Sequence, residues 1–215
     1  MAAKRNAPLE TGGRQAAYTA RNRAALIKAG QEVLAEIGPS ATIEQLSAHA
    51  QVSPTTIYKY FENKDVLFVQ ALAAAWNSWM EWALSQNLAE DRLQRIIEIG
   101  RRLLRTGQTH PLFAQMLHNS LNENPSFMID ADEGEGKRVF KFLADAGELK
   151  KDNFEERWVL WANTITGLTK SVLVDQTLSP AQADTALGIG LSVWGISDAK
   201  AKKLVSRDLG LTLLK

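Results

Sequence analysis

The chain contains no cysteine. That excludes a disulfide framework, a thiolate metal site and a thiol nucleophile, and it fits a reducing, bacterial-type cytoplasm. Long apolar runs are missing too: no stretch approaches the ~18 apolar residues of a membrane span. The 45% hydrophobic and 23% charged composition is ordinary for a soluble protein. The opening segment MAAKRNAPLETGGRQ is basic with no apolar stretch behind it, so no secretory signal is expected. Histidine is scarce, and the residues three before His49, His110 and His118 are Leu46, Gly107 and Gln115, which excludes the Glu-x-x-His pattern of di-iron bundles. His-Glu-x-x-His and Gly-x-Ser-x-Gly are absent. The fragment ADEGEGKR has Ala131 and Arg138 where a phosphate loop needs Gly and Ser or Thr. No catalytic residues, cofactor or metal are therefore expected. Runs of alternating β-branched residues are lacking and turn signals are sparse, which predicts an all-α fold.

What is present begins with charge. Residues 1–64 carry 8 Lys+Arg and 5 Asp+Glu (+3), whereas residues 65–215 carry 17 and 19 (−2). In the first thirty residues Lys4, Arg5, Arg14, Arg21, Arg23 and Lys28 face only Glu10. Such a front end suits a polyanion; on charge alone a solubilising basic tail fits equally well.

The 215 residues suffice for a small domain joined to a larger one. Residues 1–18, rich in Gly, Ala and charge, are expected as a flexible basic arm. A first helix is predicted from the cap Thr19, with Leu26, Ile27, Ala29, Gly30, Val33, Leu34 and Ile37 as its apolar stripe and Gly38-Pro39 as its stop. Thr42 followed by Gln45 is a capping box opening a second helix, with Ile43, Leu46 and Ala50 on one side. Ser53 caps a third, from Pro54 to about Phe61, and a long fourth runs from Asp65 to about Ser85. Further helices are predicted near 89–106, 110–118, 135–146, 154–177, 180–194 and 198–206. Asp130, Asp132, Glu133 and Glu135 lie at a helix start, where carboxylates favour the dipole; they read as solvated structure.

The second and third helices with their tight turn have the size of a helix-turn-helix whose second helix enters the DNA major groove. Ser53, Thr55, Thr56, Tyr58 and Lys59 would face bases and phosphates, while Val52, Ile57 and Phe61 anchor the helix. An ordinary helical hairpin gives the same local pattern. The string TIEQLSAHAQVSPTTIYKYFENKDVL, residues 42–67, resembles the amino-terminal signature of the tetracycline-repressor (TetR) family of bacterial transcription regulators, and the likeness runs without insertion over about residues 20–72. It implies a DNA-binding domain over 19–64, a helical effector-binding and dimerisation domain over 65–215, and a cytoplasmic homodimeric repressor on a palindromic operator, released by a small molecule. Carried over by position, Thr42 and Lys64 resemble phosphate contacts, Tyr58, Lys59 and Tyr60 groove or phosphate contacts, and Thr55 and Thr56 base-edge readers; Ser53 and Pro54 open the same helix. One departure is Gln51, where the family usually has Gly: a side chain at positive φ costs on the order of 1 kcal/mol.

The larger part holds all six tryptophans, Trp76, Trp79, Trp82, Trp158, Trp161 and Trp194, together with Phe113, Phe127, Phe140, Phe142, Met80, Met116 and Met128. A pocket for an apolar or aromatic compound is expected among Trp76, Trp79, Met80, Leu104, Phe113, Met116, Leu117, Phe140, Trp161 and Ile165, with His110, His118 and Asn163 as polar partners. Any one of these also suits a packed core. The helices near 154–177 and 180–194, where Gly167, Gly188 and Gly190 alternate with Ile165, Leu168, Leu187, Ile189, Leu191 and Trp194, match the family's dimerising pair. The same surface would equally cover its own core or lie under the 198–206 helix. A small-molecule binding module, or a helical enzyme without a recognisable motif, remains the alternative.

Overall fold

The computed structural model describes residues 11–123 and 135–211, all of them helix, turn or irregular structure with no strand. Phe127, Met128, Asp130, Asp132 and Glu133 lie outside the described residues. So does most of the expected basic arm.

Helix α1 spans Thr11–Glu36 and therefore begins eight residues before Thr19. The expectation of a flexible arm up to residue 18 is corrected over 11–18. Gln15, Ala16, Ala17, Ala20 and Arg21 are good helix formers, and their turns extend a helix nucleated by the packed half that follows. The helix stops at Gly38, whose φ of 97° takes the left-handed conformation and whose amide donates to the Val33 carbonyl.

Helix α2, Ile43–Ala50, opens on the Thr42/Gln45 capping box. Helix α3, Pro54–Tyr58, is capped by Ser53 and then tightens, the amides of Tyr60 and Phe61 both turning back to Ile57 O. Between them Gln51 sits at φ 53°, ψ 40°. Its amide donates to Ala48 O and that of Val52 to Ser47 O, a Schellman closure with glutamine in the glycine position.

Helix α4, Lys64–Ser85, is capped by Asn63 and buries Leu67, Phe68, Ala71, Leu72, Trp79 and Ala83. After it come α5 (Arg92–Leu103), the single turn α6 (Thr106–Thr109), α7 (Pro111–Glu123), α8 (Glu135–Asp145), α9 (Phe154–Leu173), α10 (Pro180–Gly190) with a 3₁₀ turn at Leu191–Trp194, and α11 (Asp198–Ser206). The helix expected over 89–106 starts late because Asp91 caps it, and it breaks at Arg105, whose guanidinium reaches Asp184.

One core joins α1–α4 to α7, from Val33, Leu46 and Ile57 through Leu67 and Trp79 to Met116 and Leu121. A second gathers α5, α8, α9, α10 and α11 around Phe140, whose ring centroid lies 5.3 Å from Trp161 and 5.0 Å from Trp194. The first core runs straight through the expected boundary at residue 64. Asn119 on α7 adds to it, donating to Leu34 O (2.9 Å) and Ala35 O (3.0 Å) at the end of α1. In the second half, Asp184 on α10 accepts from Arg101 at 2.9 Å and from Arg105 at 2.6 Å, a buried link from α5 to α10.

Candidate functional site

The reading surface is built by anchoring a five-residue helix on its apolar side. Ile57 is fully buried and Phe61 nearly so, and the guanidinium of Arg23 lies 5.1 Å over the Phe61 ring. Ser53, Thr55, Tyr58 and Lys59 are left exposed on the opposite side. Thr56 is half-buried: its amide donates to Ser53 Oγ (3.2 Å) and its hydroxyl lies 3.0 Å from the same atom. Its side chain therefore rigidifies the start of α3, and Thr55 is the freer of the two threonines. Pro54 occupies the first helical turn, where a missing amide proton costs nothing.

Thr42, Tyr60 and Lys64 come from three different elements. The Thr42 hydroxyl accepts from Gln45 N (3.2 Å), and the Tyr60 hydroxyl accepts from Asn22 Nδ2 (3.0 Å); each keeps its own proton to donate. Lys64 Nζ donates to Pro39 O (2.9 Å), lies 3.2 Å from Asp65 Oδ1 and sits 5.4 Å above the Phe68 ring. Its side chain keeps 31% of its exposure, so the ammonium is held at the start of α4 without being buried. Arg14 and Arg21 entered the sequence reading only as part of the basic front end, and Tyr18 had no role there. They are exposed, and their spacing of four and three puts them on one face of α1, shared with Asn22, whose amide donates to Tyr60. The signal was available in that spacing, but only once this segment was known to be helical.

A cavity of about 830 Å³ lies between the two cores. Trp76, Trp79, Met80, Phe140, Trp161 and Ile165 line it. Leu104, His110, Phe113, Met116, Leu117 and Asn163 are not among its walls. Phe113 packs its ring 6.0 Å from Trp79 within the first core, where Met116 and Leu117 are also fully buried, and Leu104 is buried in the second. His110 packs 4.4 Å from the Trp82 ring, and burial holds its imidazole below the ordinary value. The ring nitrogen of His118 is 3.0 Å from Leu173 O, and Asn163 is exposed on α9 with its amide donating to Val159 O (2.8 Å). Walls that the sequence reading passed over include Arg92, Arg95 and Ile96 on α5, Arg138 and Val139 on α8, and Thr166 on α9.

Across α9 and α10 an apolar face stays open, with Val159 54%, Leu160 58% and Ile189 69% exposed. Gly167 lies on the open side as well. Gly188 instead faces Val205 of α11 and Gly190 faces Thr164 of α9, while Leu168, Leu187, Leu191 and Trp194 fill their own chain's core. Among the described residues no group of three or more His, Asp and Glu could hold a metal ion, and no helix is long and apolar enough to cross a membrane.

Residues 26–71 match the profile of the family described as bacterial regulatory proteins, tetR family. This segment is a TetR-family amino-terminal domain. The TetR match covers α2, α3 and the adjoining ends of α1 and α4, the elements that build the reading surface. Solved TetR-like folds extend the likeness over the rest. RolR in complex with resorcinol is 20% identical, with TM-score 0.64 over 91% of this chain and 98% of that one. A putative TetR-family regulator from Rhodococcus sp. is 18% identical, with TM-score 0.61 over 81% and 98%. A TetR-family regulator from Haemophilus influenzae RD is 18% identical, with TM-score 0.56 over 82% and 97%. No curated protein matches the sequence. At these identities the neighbours establish the fold of the chain.

Proposed function

We propose that the protein is a ligand-responsive repressor: a homodimer that places two copies of α3 in successive major grooves of a palindromic operator and is released by a small apolar or aromatic effector. The observation that carries this reading is the continuity of one core from Ile57 under the reading helix, along α4, to Trp79 in the cavity wall. Helix α4 has 22 residues, hence a length of about 33 Å. Its far end cannot shift without displacing what packs on its start.

In this reading Thr55 and Tyr58 read base edges, with Lys59 reaching bases or phosphate. Thr42, Tyr60 and Lys64 clamp phosphates, and Ser53, Pro54 and Thr56 hold the start of α3 in place. The face carrying Arg14, Tyr18 and Arg21 adds backbone contacts beyond α3. A division at residue 64 then separates roles and not cores. The partner covers Val159, Leu160 and Ile189, pairing α9 and α10 of each copy into a four-helix bundle. The two α3 helices stand about 34–36 Å apart when the operator is bound. An effector acts only through its differential affinity for the two separations. RolR was solved with resorcinol, a small aromatic compound, in the same fold, which favours an aromatic effector here. Trp76, Trp79, Phe140 and Trp161 would hold its ring.

The test is a duplex selected from a random pool and titrated with the protein. Two chains per two-fold site, released by compounds that quench the cavity tryptophans, is the expected result. Quenching without any duplex binding would make the chain a small-molecule binding module instead.

A further inference from the structure

The cavity is apolar in its walls and cationic in its charge. Arg92, Arg95 and Arg138 line it, and among the described residues no Asp, Glu or Lys does. None of the three is in an ion pair among the described residues. The Arg92 guanidinium lies 4.2 Å over the exposed Phe142 ring, and Arg95 spends its Nε on the Ala89 carbonyl. Other arginines of the same half are matched: Arg101 and Arg105 to Asp184, Arg207 to Glu98, Arg157 to Asp152.

From this combination we infer that the cavity takes an organic anion, an aromatic carboxylate. The inference rests on the cavity's being the effector site and names the effector's chemistry. The ring lies among Trp76, Trp79, Phe140 and Trp161. The carboxylate meets the planar guanidinium forks, which suit it bidentately. Arg92 and Arg95, one turn apart on α5 and sharing a face with Ile96 and Ile99, make α5 the element that senses charge.

The test is calorimetric titration of the full chain with naphthoate, naphthamide and naphthylmethylammonium, matched in ring and differing in charge. Naphthoate should bind about tenfold more tightly than naphthamide, and the ammonium most weakly. Arg92→Gln combined with Arg138→Gln, at exposed positions that leave the fold intact, should bring naphthoate to the affinity of naphthamide without changing the latter. Naphthamide binding as tightly as naphthoate, or a charge preference that survives in the arginine variant, would overturn the inference while leaving the cavity as a binding site. Failure of all three probes to bind would overturn both. Preferential naphthoate binding that leaves duplex affinity unchanged would support the anion site and sink its coupling to DNA.

Discussion

Replacing Gly30 by alanine tests how tightly α1 and α4 are joined. Gly30 is buried on α1, and a Cβ built there would lie 2.3 Å from Leu67 Cδ2 and 3.2 Å from Ala71 Cβ. Apolar carbons pack at roughly 3.5–4.0 Å, so the first contact is short by more than an ångström. Leu67 is fully buried, so its Cδ2 can turn away only by displacing packed neighbours, and the Ala71 Cβ moves only with its helix. On propensity alone alanine gains roughly 0.8–1.0 kcal/mol over glycine inside a helix. Overpacking a core costs about 1–3 kcal/mol. Overpacking should win, leaving a net loss on the order of 1 kcal/mol, or a fall of a few degrees in Tm for a chain of this size. Urea unfolding followed by tryptophan fluorescence, at fixed protein concentration, measures it. The double variant Gly30→Ala, Leu67→Ala should be less destabilised than the sum of the two single changes, because the clash is then removed. Stabilisation by Gly30→Ala alone would refute the close approach of α1 and α4.

Three other outcomes are expected. Asp184→Asn removes the shared counter-charge of Arg101 and Arg105 and should destabilise by about 3–5 kcal/mol, the usual cost of breaking a buried pair; a loss below ~1 kcal/mol in chemical denaturation would show the link is solvated. Gln51→Gly should be neutral or stabilising by up to about 1 kcal/mol, since the relief of a left-handed side chain offsets the entropy glycine adds to the unfolded chain, whereas Gln51→Val should lose about 1–2 kcal/mol; equal melting temperatures for the two would contradict the left-handed turn. Burial holds the His110 imidazole below its ordinary value of 6.5, so as pH falls the unfolded chain takes up that proton before the folded one. Its contribution is fully present above 6.5 and is lost as pH drops through the folded-state value. His110→Gln should flatten the stability profile in that window, and an unchanged profile would place the pH dependence elsewhere.

The first four helices were legible because their signals are local. Thr42 with Gln45, Ser53 with Pro54 and Gly38 with Pro39 each state a helix end within a few residues, and the structure uses all three. Glycine at 12 and 13 hid the early start of α1, since alanine and arginine propensity a few residues later outweighs them once a packed helix follows. The cavity was only half legible. Phe113 and Met116 have the same chemistry as Trp76 and Met80, and which of them faces the void depends on where α4, α5 and α9 cross, which periodicity does not encode. The arginines on α5 and α8 carry no signal of a site in the sequence, because their helices border the same space only in the folded chain. In α9 and α10 the glycines drew attention as close-packing sites, yet Gly188 and Gly190 pack within the chain, and Val159, Leu160 and Ile189 carry the open surface.

The claim that α3 and its flanking elements read DNA is tested most directly by the salt dependence of duplex affinity for the unchanged protein, Lys64→Ala and Thr55→Ala. The logarithm of the binding constant should fall linearly with the logarithm of salt, by about 0.9 per phosphate contact. Lys64→Ala should weaken all duplexes alike and reduce that slope by about one. Thr55→Ala should leave the slope intact and lower discrimination between selected and unselected sequences by about 1–3 kcal/mol. Affinity that does not respond to salt, or no binding to any duplex, would contradict the account.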